Sequence, residues 1–191
     1  MRTVVVGQGY VGLPVAMQAV KAGHDVVGYE IDCRRVARLL AADSFIDDVS
    51  SNELAAAIKT GRYIASSDAS DLEAFDVAVI TVPTPLHEGN PDLSAVETAS
   101  ELLGRHLRPR ATVILESTTW PGTTEELVAP ILERVSGLRS GVDFSLGYSP
   151  ERIDPGNRTW RLDNTPKVVA GVDETSLAAV NDFYLQLVDT T

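Results

Sequence analysis

A glycine-rich turn near the N-terminus constrains the fold of this chain more than any other feature. Residues 3–6 form a β-branched run that predicts a buried strand, and the sequence Gly-Gln-Gly-Tyr-Val-Gly follows at positions 7–12. Apolar residues then recur at helical spacing. In such a unit Gly7 allows the tight turn, Gly9 lets the backbone approach a pyrophosphate and Gly12 lets the helix pack on the sheet. The pattern therefore predicts a dinucleotide-binding loop; the alternative is a glycine turn that binds nothing.

An acidic residue follows this loop at the spacing that a dinucleotide-binding fold requires. Glu30 ends a second predicted strand, residues 26–29, about 20 residues beyond the loop. Its carboxylate is expected to accept hydrogen bonds from the adenine ribose and to repel a 2′-phosphate, which favours NAD over NADP. We also count Tyr10, Val11 and Arg35 among the cofactor-binding residues. Alternatively, Glu30 is a solvated residue at a strand end, and the arginines after it soften the exclusion of NADP.

Predicted strands and helices alternate along the whole chain, which indicates a parallel sheet with helices on both faces. Right-handed crossovers then give a doubly wound, mostly parallel α/β sheet, the Rossmann fold, and 191 residues suit a single domain. Ligands bind such sheets at the carboxyl ends of the strands. The predicted strands are residues 3–6, 26–29, 63–65, 77–82, 111–115, 144–148 and 167–170. The predicted helices are residues 10–22, 32–41, 51–59, 92–106, 123–135 and 174–187.

Local signals add helix caps and a loop to this pattern. Asp32 is expected to cap the helix that follows it. Ser94 and Glu97 have the spacing of a capping box near the start of the helix at residues 92–106. Residues 86–91 are predicted to form a polar loop.

Composition excludes several other classes of protein. The net charge of −11 argues against a nucleic-acid partner, which requires a basic face. No apolar run approaches the length of a membrane span and no signal-peptide pattern begins the chain, so we expect a cytoplasmic protein that does not bind membranes. The single cysteine, Cys33, excludes a disulfide framework and a cysteine-rich zinc site. The three histidines, His24, His87 and His106, lack metal-ligand spacing, and each is expected to be a solvated surface residue.

Five motifs occur in order across the chain and together carry a resemblance. They are Gly7-Gln8-Gly9-Tyr10-Val11-Gly12-Leu13-Pro14, Val82-Pro83-Thr84-Pro85, Glu116-Ser117-Thr118-Thr119 with Pro121-Gly122-Thr123-Thr124, Tyr148-Ser149-Pro150-Glu151-Arg152 with Pro155-Gly156-Asn157, and Thr165-Pro166-Lys167-Val168-Val169. In this set the chain resembles the N-terminal NAD-binding domain of the UDP-sugar 6-dehydrogenases, which act on UDP-glucose, UDP-N-acetylglucosamine or UDP-N-acetylmannosamine.

The resemblance implies a reaction and roles for particular residues. The family oxidises the C6 hydroxymethyl group of a UDP-sugar to a carboxylate with two NAD, usually for capsule or O-antigen synthesis. By resemblance, Thr118 helps to order a catalytic water, and Glu151 acts as a base or orients water near C6. Pro83, Thr84 and Thr118 contact the nicotinamide side of the cofactor, and we count Val82 with them. From the residues alone, Glu151 could instead pair with a neighbouring arginine, and Thr118 could be a hydroxyl at the start of a helix.

One loop discriminates within this family. The UDP-glucose enzymes usually carry a Phe-Leu-Arg-Glu-Gly type of stretch after the glutamate that corresponds to Glu151. Here the stretch is Arg-Ile-Asp-Pro-Gly-Asn at positions 152–157. This resembles the N-acetylated-sugar branch, in particular the UDP-N-acetylglucosamine type.

The chain also departs from the family. Nothing in it matches the family's thiol nucleophile, its catalytic lysine, the linker helix or the C-terminal UDP-binding domain. Cys33 is expected beside the adenosine site and therefore is not the nucleophile. We expect residues 1–191 to be one NAD-binding domain of a longer enzyme, inactive alone, with the whole enzyme a homodimer that binds a UDP-sugar.

Two other functions remain open from the sequence. The chain could be the cofactor domain of another two-domain dehydrogenase, such as the 3-hydroxyacid type, although Ser149-Pro150-Glu151-Arg152 argues against it. It could also be an NAD-binding sensor or regulatory module, which the fold alone does not exclude. The downstream coding sequence would discriminate between these.

Overall fold

A computed structural model describes residues 1–87, 89–152, 162 and 164–191 of the chain. Within these residues the strands are β1 (Arg2–Val6), β2 (Asp25–Tyr29), β3 (Tyr63–Ser66), β4 (Val77–Ile80), β5 (Leu86–His87), β6 (Asn90–Pro91), β7 (Thr112–Leu115), β8 (Ser145–Tyr148) and β9 (Ala170–Gly171). The α-helices are α1 (Gly12–Lys21), α2 (Cys33–Leu40), α3 (Ser51–Lys59), α4 (Ser94–His106), α5 (Ala129–Ser136) and α6 (Glu174–Tyr184). A 3₁₀ turn, Ala69–Leu72, precedes β4, and a π-helical turn, Thr124–Val128, leads into α5.

Seven of the strands form one sheet in the order β3-β2-β1-β4-β7-β8-β9. The first six run parallel, with β1 between β2 and β4, so that Val4 lies beside both Val27 and Ala78. This confirms the doubly wound Rossmann fold. The strand order reverses at β1 and β4, and in such sheets ligands bind in the crevice outside the carboxyl ends of the strands at this point.

The last strand of the sheet differs from its prediction. The pattern at residues 167–170 predicts a strand, whereas β9 is Ala170–Gly171 and pairs antiparallel with Gly147 and Tyr148 of β8. An antiparallel partner at the edge of a parallel sheet is common in this class of fold. Lys167 lies before the strand, where its side chain is buried in an ion pair.

Both faces of the sheet are covered by apolar packing, which explains why the central strands are almost continuously β-branched. Val5 packs on one face with residues of α1, α3 and α6, such as Leu13 and Phe183. Val4 and Val6 pack on the other face with residues of α4 and α5. Successive side chains of a strand point to opposite faces, so a strand buried on both sides has no polar alternation.

The local signals in the sequence have mixed outcomes. Asp32 is the N-cap of α2, and its carboxylate accepts a hydrogen bond from the Arg34 N–H, as predicted. The capping-box prediction for Ser94 is wrong: α4 begins at Ser94 itself, and the Asp92 carboxylate accepts from the Ser94 N–H at 2.9 Å. The segment 86–91, predicted as a loop, contains the short antiparallel pair β5 and β6.

The expectation that every histidine is solvated is wrong for His24, which is 2% exposed. Its Nδ1 lies 3.0 Å from Oγ1 of Thr3, and its Nε2 lies 3.0 Å from Oε1 of Gln186. Burial is the main cause that lowers the pKa of His24 below its ordinary value. His106 is half-buried at the end of α4. Among the described residues, no helix combines the length and the apolar character that a membrane crossing demands.

Candidate functional site

A groove of about 1120 Å³ runs along the carboxyl ends of β1, β2, β4 and β7. It extends from the acidic end of β2, across the glycine loop, to the loops that follow β4 and β7. The sequence-predicted site residues at its wall are Gly7, Gly9, Tyr10, Val11, Glu30, Arg35, Val82, Pro83, Thr84, Thr118 and Glu151. The fold therefore brings together residues that lie far apart in the chain.

A different feature of the structure explains each of the three glycines in the loop. Gly7 has a φ of +94°, which L side chains rarely adopt. A Cβ on Gly12 would strike the Gly7 carbonyl oxygen and the Thr81 hydroxyl, so Gly12 is required by packing and does not line the groove. A Cβ on Gly9 would have no atom within 4 Å. Packing within the protein therefore does not explain Gly9, whereas a ligand that approaches the backbone there does.

The loop is suited to a pyrophosphate. Helix α1 begins at Gly12 without a side-chain cap. The N–H groups of Leu13 and Val15 donate to the carbonyls of Gly9 and Val11, whereas the Gly12 N–H has no backbone acceptor among the described residues and is left for water or a ligand. The partial positive charge of a helix N-terminus favours an anion at this position. Open space beside Gly9 provides room for the phosphates. Donors, charge and space thus all fit the diphosphate of a dinucleotide.

A buried polar network supports the loop from beneath. Gln8 is 0% exposed; its Nε2 donates to the Val5 carbonyl at 2.9 Å, and its Oε1 accepts from the Tyr63 hydroxyl at 2.9 Å. Burial raises the pKa of Tyr63 above its ordinary value, so the phenol remains a donor. A Cβ on Gly28 would lie 2.5 Å from Oε1 of Gln8 and 2.6 Å from the Tyr63 hydroxyl, so a larger residue there would displace these two side chains. Sequence reasoning treated Gln8 as a variable position of the motif and missed this network.

Glu30 is held in place by the backbone. It is 5% exposed, and its Oε2 and Oε1 accept hydrogen bonds of 3.1 Å from the N–H groups of Gln8 and Asp32. Arg35 Nη1 lies 3.7 Å from Oε2 of Glu30. Arg34 instead turns its guanidinium group to Asp32, at 3.0 Å. Of the two arginines, Arg35 alone shares the groove with the Glu30 carboxylate.

Hydroxyl groups join the loops at the other half of the groove. Oγ1 of Thr81 donates to the carbonyls of Val6 and Gly7, both at 2.8 Å. Ser117 Oγ donates to the Val82 carbonyl at 2.7 Å, and Thr84 Oγ1 donates to the carbonyl of Thr118 at 2.6 Å. Thr118 itself is exposed and lies at the groove wall.

A buried charged cluster lies at the floor of this half. Glu116, which directly follows β7, forms an ion pair with Lys167 and accepts a 2.6 Å hydrogen bond from the Tyr184 hydroxyl. Burial raises the pKa of Glu116 to about 7 and outweighs the attraction of Lys167, while Glu151 raises the pKa further. Burial and Glu116 raise the pKa of Tyr184. In the sequence, Glu116 and Lys167 are parts of two separate motifs, and no local signal predicts that they meet.

Glu151 follows β8 and is half-buried at the groove wall. Its Oε1 accepts a 2.7 Å hydrogen bond from the backbone N–H of Arg152, so this contact with Arg152 uses the backbone. The rest of the stretch that suggests a UDP-N-acetylglucosamine type, residues 153–157, lies outside the described residues.

Cys33 begins α2, immediately after the Asp32 cap. It is exposed, and its Sγ lies 3.7 Å from the Ser67 hydroxyl. Cys33 therefore lies near Glu30, beyond the carboxyl end of β2. In the described part of the chain, no group of three or more His, Cys, Asp and Glu side chains could hold a metal ion.

The sheet order, the glycine loop and the carboxylate at the end of β2 define a dinucleotide-binding domain. Residues 1–188 match the model of the UDP-glucose/GDP-mannose dehydrogenase family, NAD binding domain, and the chain belongs to this family. The family consists of oxidoreductases, and its cofactor is NAD.

Individual relatives cover almost the whole chain. It is 41% identical to Protein CapL of Staphylococcus aureus, over 96% of this chain and 42% of that protein. It is 39% identical to UDP-N-acetyl-D-glucosamine 6-dehydrogenase of Pseudomonas aeruginosa, over 98% and 44%. The solved UDP-D-ManNAc dehydrogenase of Pyrococcus horikoshii superposes with a TM-score of 0.95 at 34% identity, over 100% of this chain and 46% of that one. The chain thus spans less than half the length of each of these three relatives.

Proposed function

We propose that this chain is the NAD-binding half of a nucleotide-sugar 6-dehydrogenase that oxidises the C6 hydroxymethyl of a UDP-sugar to a carboxylate. The observation that carries the proposal is the single groove that collects the glycine loop, Glu30, Thr118 and Glu151. Oxidation of an alcohol to an acid removes two hydrides, so the reaction consumes two NAD. Residues 1–191 would be one NAD-binding unit, with a UDP-binding half elsewhere in the whole protein.

The proposed residues divide along the groove. Glu30, with Arg35 beside it, would hold the adenine ribose, and the loop residues Gly7, Gly9, Tyr10 and Val11 would surround the pyrophosphate. The nicotinamide half would then lie against the loops after β4 and β7, which contribute Val82, Pro83, Thr84 and Thr118. This assignment follows the general rule that a dinucleotide spans both halves of such a sheet.

The proposed chemistry requires a proton acceptor and an oriented water. NAD, when bound, supplies the hydride acceptor. Glu151 would take the hydroxyl proton or orient water near C6, because its carboxylate lies at the groove wall beyond the nicotinamide loops. Thr118 would help to order the water, since its carbonyl is already fixed by Thr84 and its side chain is on an exposed residue.

Within the family we favour a UDP-N-acetylglucosamine type of substrate. The stretch at positions 152–157 supports this choice, as does the relative of that name from Pseudomonas aeruginosa. The UDP-D-ManNAc dehydrogenase fold match makes UDP-N-acetylmannosamine the first competitor. The test expresses this chain together with the coding sequence that follows it. NADH formation is then measured with four substrates: UDP-N-acetylglucosamine, UDP-N-acetylmannosamine, UDP-glucose and GDP-mannose. A preference for any of the other three nucleotide sugars would contradict the choice of UDP-N-acetylglucosamine, and a preference for GDP-mannose would also contradict the assignment of a UDP-sugar.

Residues 1–191 alone would turn over no nucleotide sugar. A covalent route from aldehyde to acid needs a thiolate at C6, and the only cysteine, Cys33, lies on the Glu30 side of the groove. Reacting atoms must approach within about 3.5 Å, and a thiol at the adenosine end of the groove is too far from C6 at the nicotinamide end. We therefore expect no NADH absorbance when these residues are mixed with NAD and each UDP-sugar. Steady NADH formation would contradict this, and a Cys33→Ser control would show whether Cys33 is responsible.

Cofactor binding gives the most direct test of the proposed site. Calorimetry of residues 1–191 should show binding of NAD with a clear preference over NADP, because the buried Glu30 carboxylate repels a 2′-phosphate. Equal affinities would remove the role assigned to Glu30. A sensor module would bind NAD in the same way, so the sugar assay above, and not this titration, distinguishes the enzyme from a sensor.

A further inference from the structure

Glu116 is a buried carboxyl group that the proposed reaction does not use. It is 0% exposed, yet it belongs to the floor of the groove beneath the half that would receive the nicotinamide. Structural carboxylates are rarely buried at a ligand site unless their charge is balanced there. The charge of Glu116 must therefore be balanced by the groups packed around it.

The charged and titratable groups that face Glu116 come from three different segments. Lys167 forms an ion pair with Oε1, and the Tyr184 hydroxyl at the end of α6 donates to Oε2. Lys167 Nζ also lies 5.2 Å from the centre of the Tyr184 ring. Glu151, after β8, acts on Glu116 through its charge. Among the described residues these are the ionisable groups that act on the Glu116 carboxyl.

The net charge of this cluster depends on one proton. When Glu116 is ionised, it neutralises Lys167. When Glu116 is protonated, the buried Lys167 ammonium leaves one positive charge beneath the groove. The nicotinamide ring of NAD⁺ is cationic and that of NADH is neutral, so a buried charge at this position acts on the two redox forms differently.

We propose that Glu116, together with Lys167 and Tyr184, sets the preference of the groove for oxidised over reduced dinucleotide through the charge of the cluster. Glu116 is thus a positioning residue that acts electrostatically and does not touch the reacting atoms. Protonation of Glu116 weakens the binding of NAD⁺ relative to that of NADH, and ionisation restores it. The inference rests on the proposed placement of the nicotinamide half over the β4 and β7 loops.

The test measures the affinity of this chain for NADH by fluorescence and for NAD⁺ by competition, between about pH 6 and about pH 8.5. Burial raises the pKa of Glu116 to about 7, so the affinity ratio should change around that pH. The ratio of NAD⁺ to NADH affinity should rise roughly threefold to tenfold as the pH rises, the effect of one partly screened charge. A ratio that is constant with pH would overturn the inference.

Three variants separate charge from structure. Tyr184→Phe removes a hydrogen bond to the carboxylate and should move the transition to higher pH, since the charged form loses a donor. Glu116→Gln should hold the ratio at its low-pH value at every pH. The double variant Glu116→Gln with Lys167→Met removes both charges and avoids an unpaired buried ammonium. Its cluster is neutral, like that of the wild type with Glu116 ionised, so it should give a ratio near the wild-type high-pH value that does not change with pH.

A matched control is Glu73→Gln, an exposed carboxylate that precedes β4 and so lies toward the amino-terminal ends of the strands, away from the groove. This variant should keep the wild-type pH dependence of the ratio of NAD⁺ to NADH affinity. A transition that survives in the double variant would overturn the inference, because the titrating group would lie elsewhere. Failure of the wild type to bind either dinucleotide would overturn both the inference and the proposed site, whereas binding with a constant ratio would overturn the inference alone.

Discussion

The hydroxyl of Tyr63 on β3 donates a 2.9 Å hydrogen bond to the side-chain carbonyl of Gln8, inside the glycine loop. The backbone N–H of Gln8 donates to Glu30, which directly follows β2. One residue of the loop therefore couples the proposed pyrophosphate site to the proposed ribose site. Because these groups are buried, removal of any donor leaves an acceptor that water does not readily satisfy.

We predict that Tyr63→Phe destabilises the domain and weakens NAD binding. The variant keeps the ring but leaves Oε1 of Gln8 without its donor, at a cost of about 1–3 kcal/mol of unfolding free energy. Urea unfolding followed by circular dichroism measures the change. Gly28→Ala, which crowds the same two atoms, should act in the same direction. Wild-type stability in both variants would show that the network is dispensable.

A second prediction separates the two glycines that follow Gly7. Gly9→Val should fold normally and lose NAD binding, because its side chain would enter open space in the groove. Gly12→Val should lose stability, because its side chain would strike the Gly7 carbonyl and Thr81. Thermal unfolding and NAD titration of both variants provide the comparison. Intact NAD binding by a folded Gly9→Val protein would mean that the loop is only a turn.

The third prediction concerns the choice between NAD and NADP. Glu30→Ala should weaken NAD binding by about 1–3 kcal/mol, the value of hydrogen bonds to a charged group, and should reduce the discrimination against NADP. Part of the loss will come from the N–H groups of Gln8 and Asp32, which lose their acceptor. An Asp32→Ala control loses the helix cap and the ion pair with Arg34, but keeps the Glu30 carboxylate, and should retain the preference for NAD. An unchanged NAD/NADP ratio in Glu30→Ala would exclude Glu30 from cofactor selection.

The fourth prediction is a loss of stability in acid that depends on His24. Burial lowers the pKa of His24 below 6.5, so the neutral ring stabilises the fold above that pH and the contribution disappears as the pH falls through the folded-state value. Asp25, Asp76 and the N-terminal amine act on the same ring. The unfolding free energies of wild type and His24→Gln should therefore approach each other from about pH 7.5 to about pH 5. Groups common to both proteins, such as Glu116, cancel in this difference; parallel pH curves would contradict the prediction.

The strands and the glycine loop were predictable because their signals are local. A buried parallel strand such as β1 is β-branched on both faces, and a turn at φ +94° requires a glycine such as Gly7. The position of Glu30 could be predicted for the same reason, since its spacing from the loop places it directly after β2. These features need no knowledge of distant parts of the chain.

The features that sequence reasoning missed are contacts between distant segments. Glu116 meets Lys167 across 51 positions and Tyr184 across 68, and no periodic pattern records such pairs. His24 is polar in sequence, and its burial depends on Gln186 at the other end of the chain. The direction of β9 depends on where the chain returns to the sheet, which the local sequence of the strand does not specify.

The short strand β9 also has a consequence for how the protein behaves at high concentration. A parallel sheet that ended at β8 would present the backbone of a four-residue strand, with unpaired N–H and carbonyl groups that could template the strand of another molecule. The two residues of β9 cover part of that row and offer a shorter run of their own, against which α6 packs closely enough that Gly171 has no room for a side chain. The fold thus protects this edge against intermolecular strand addition and aggregation.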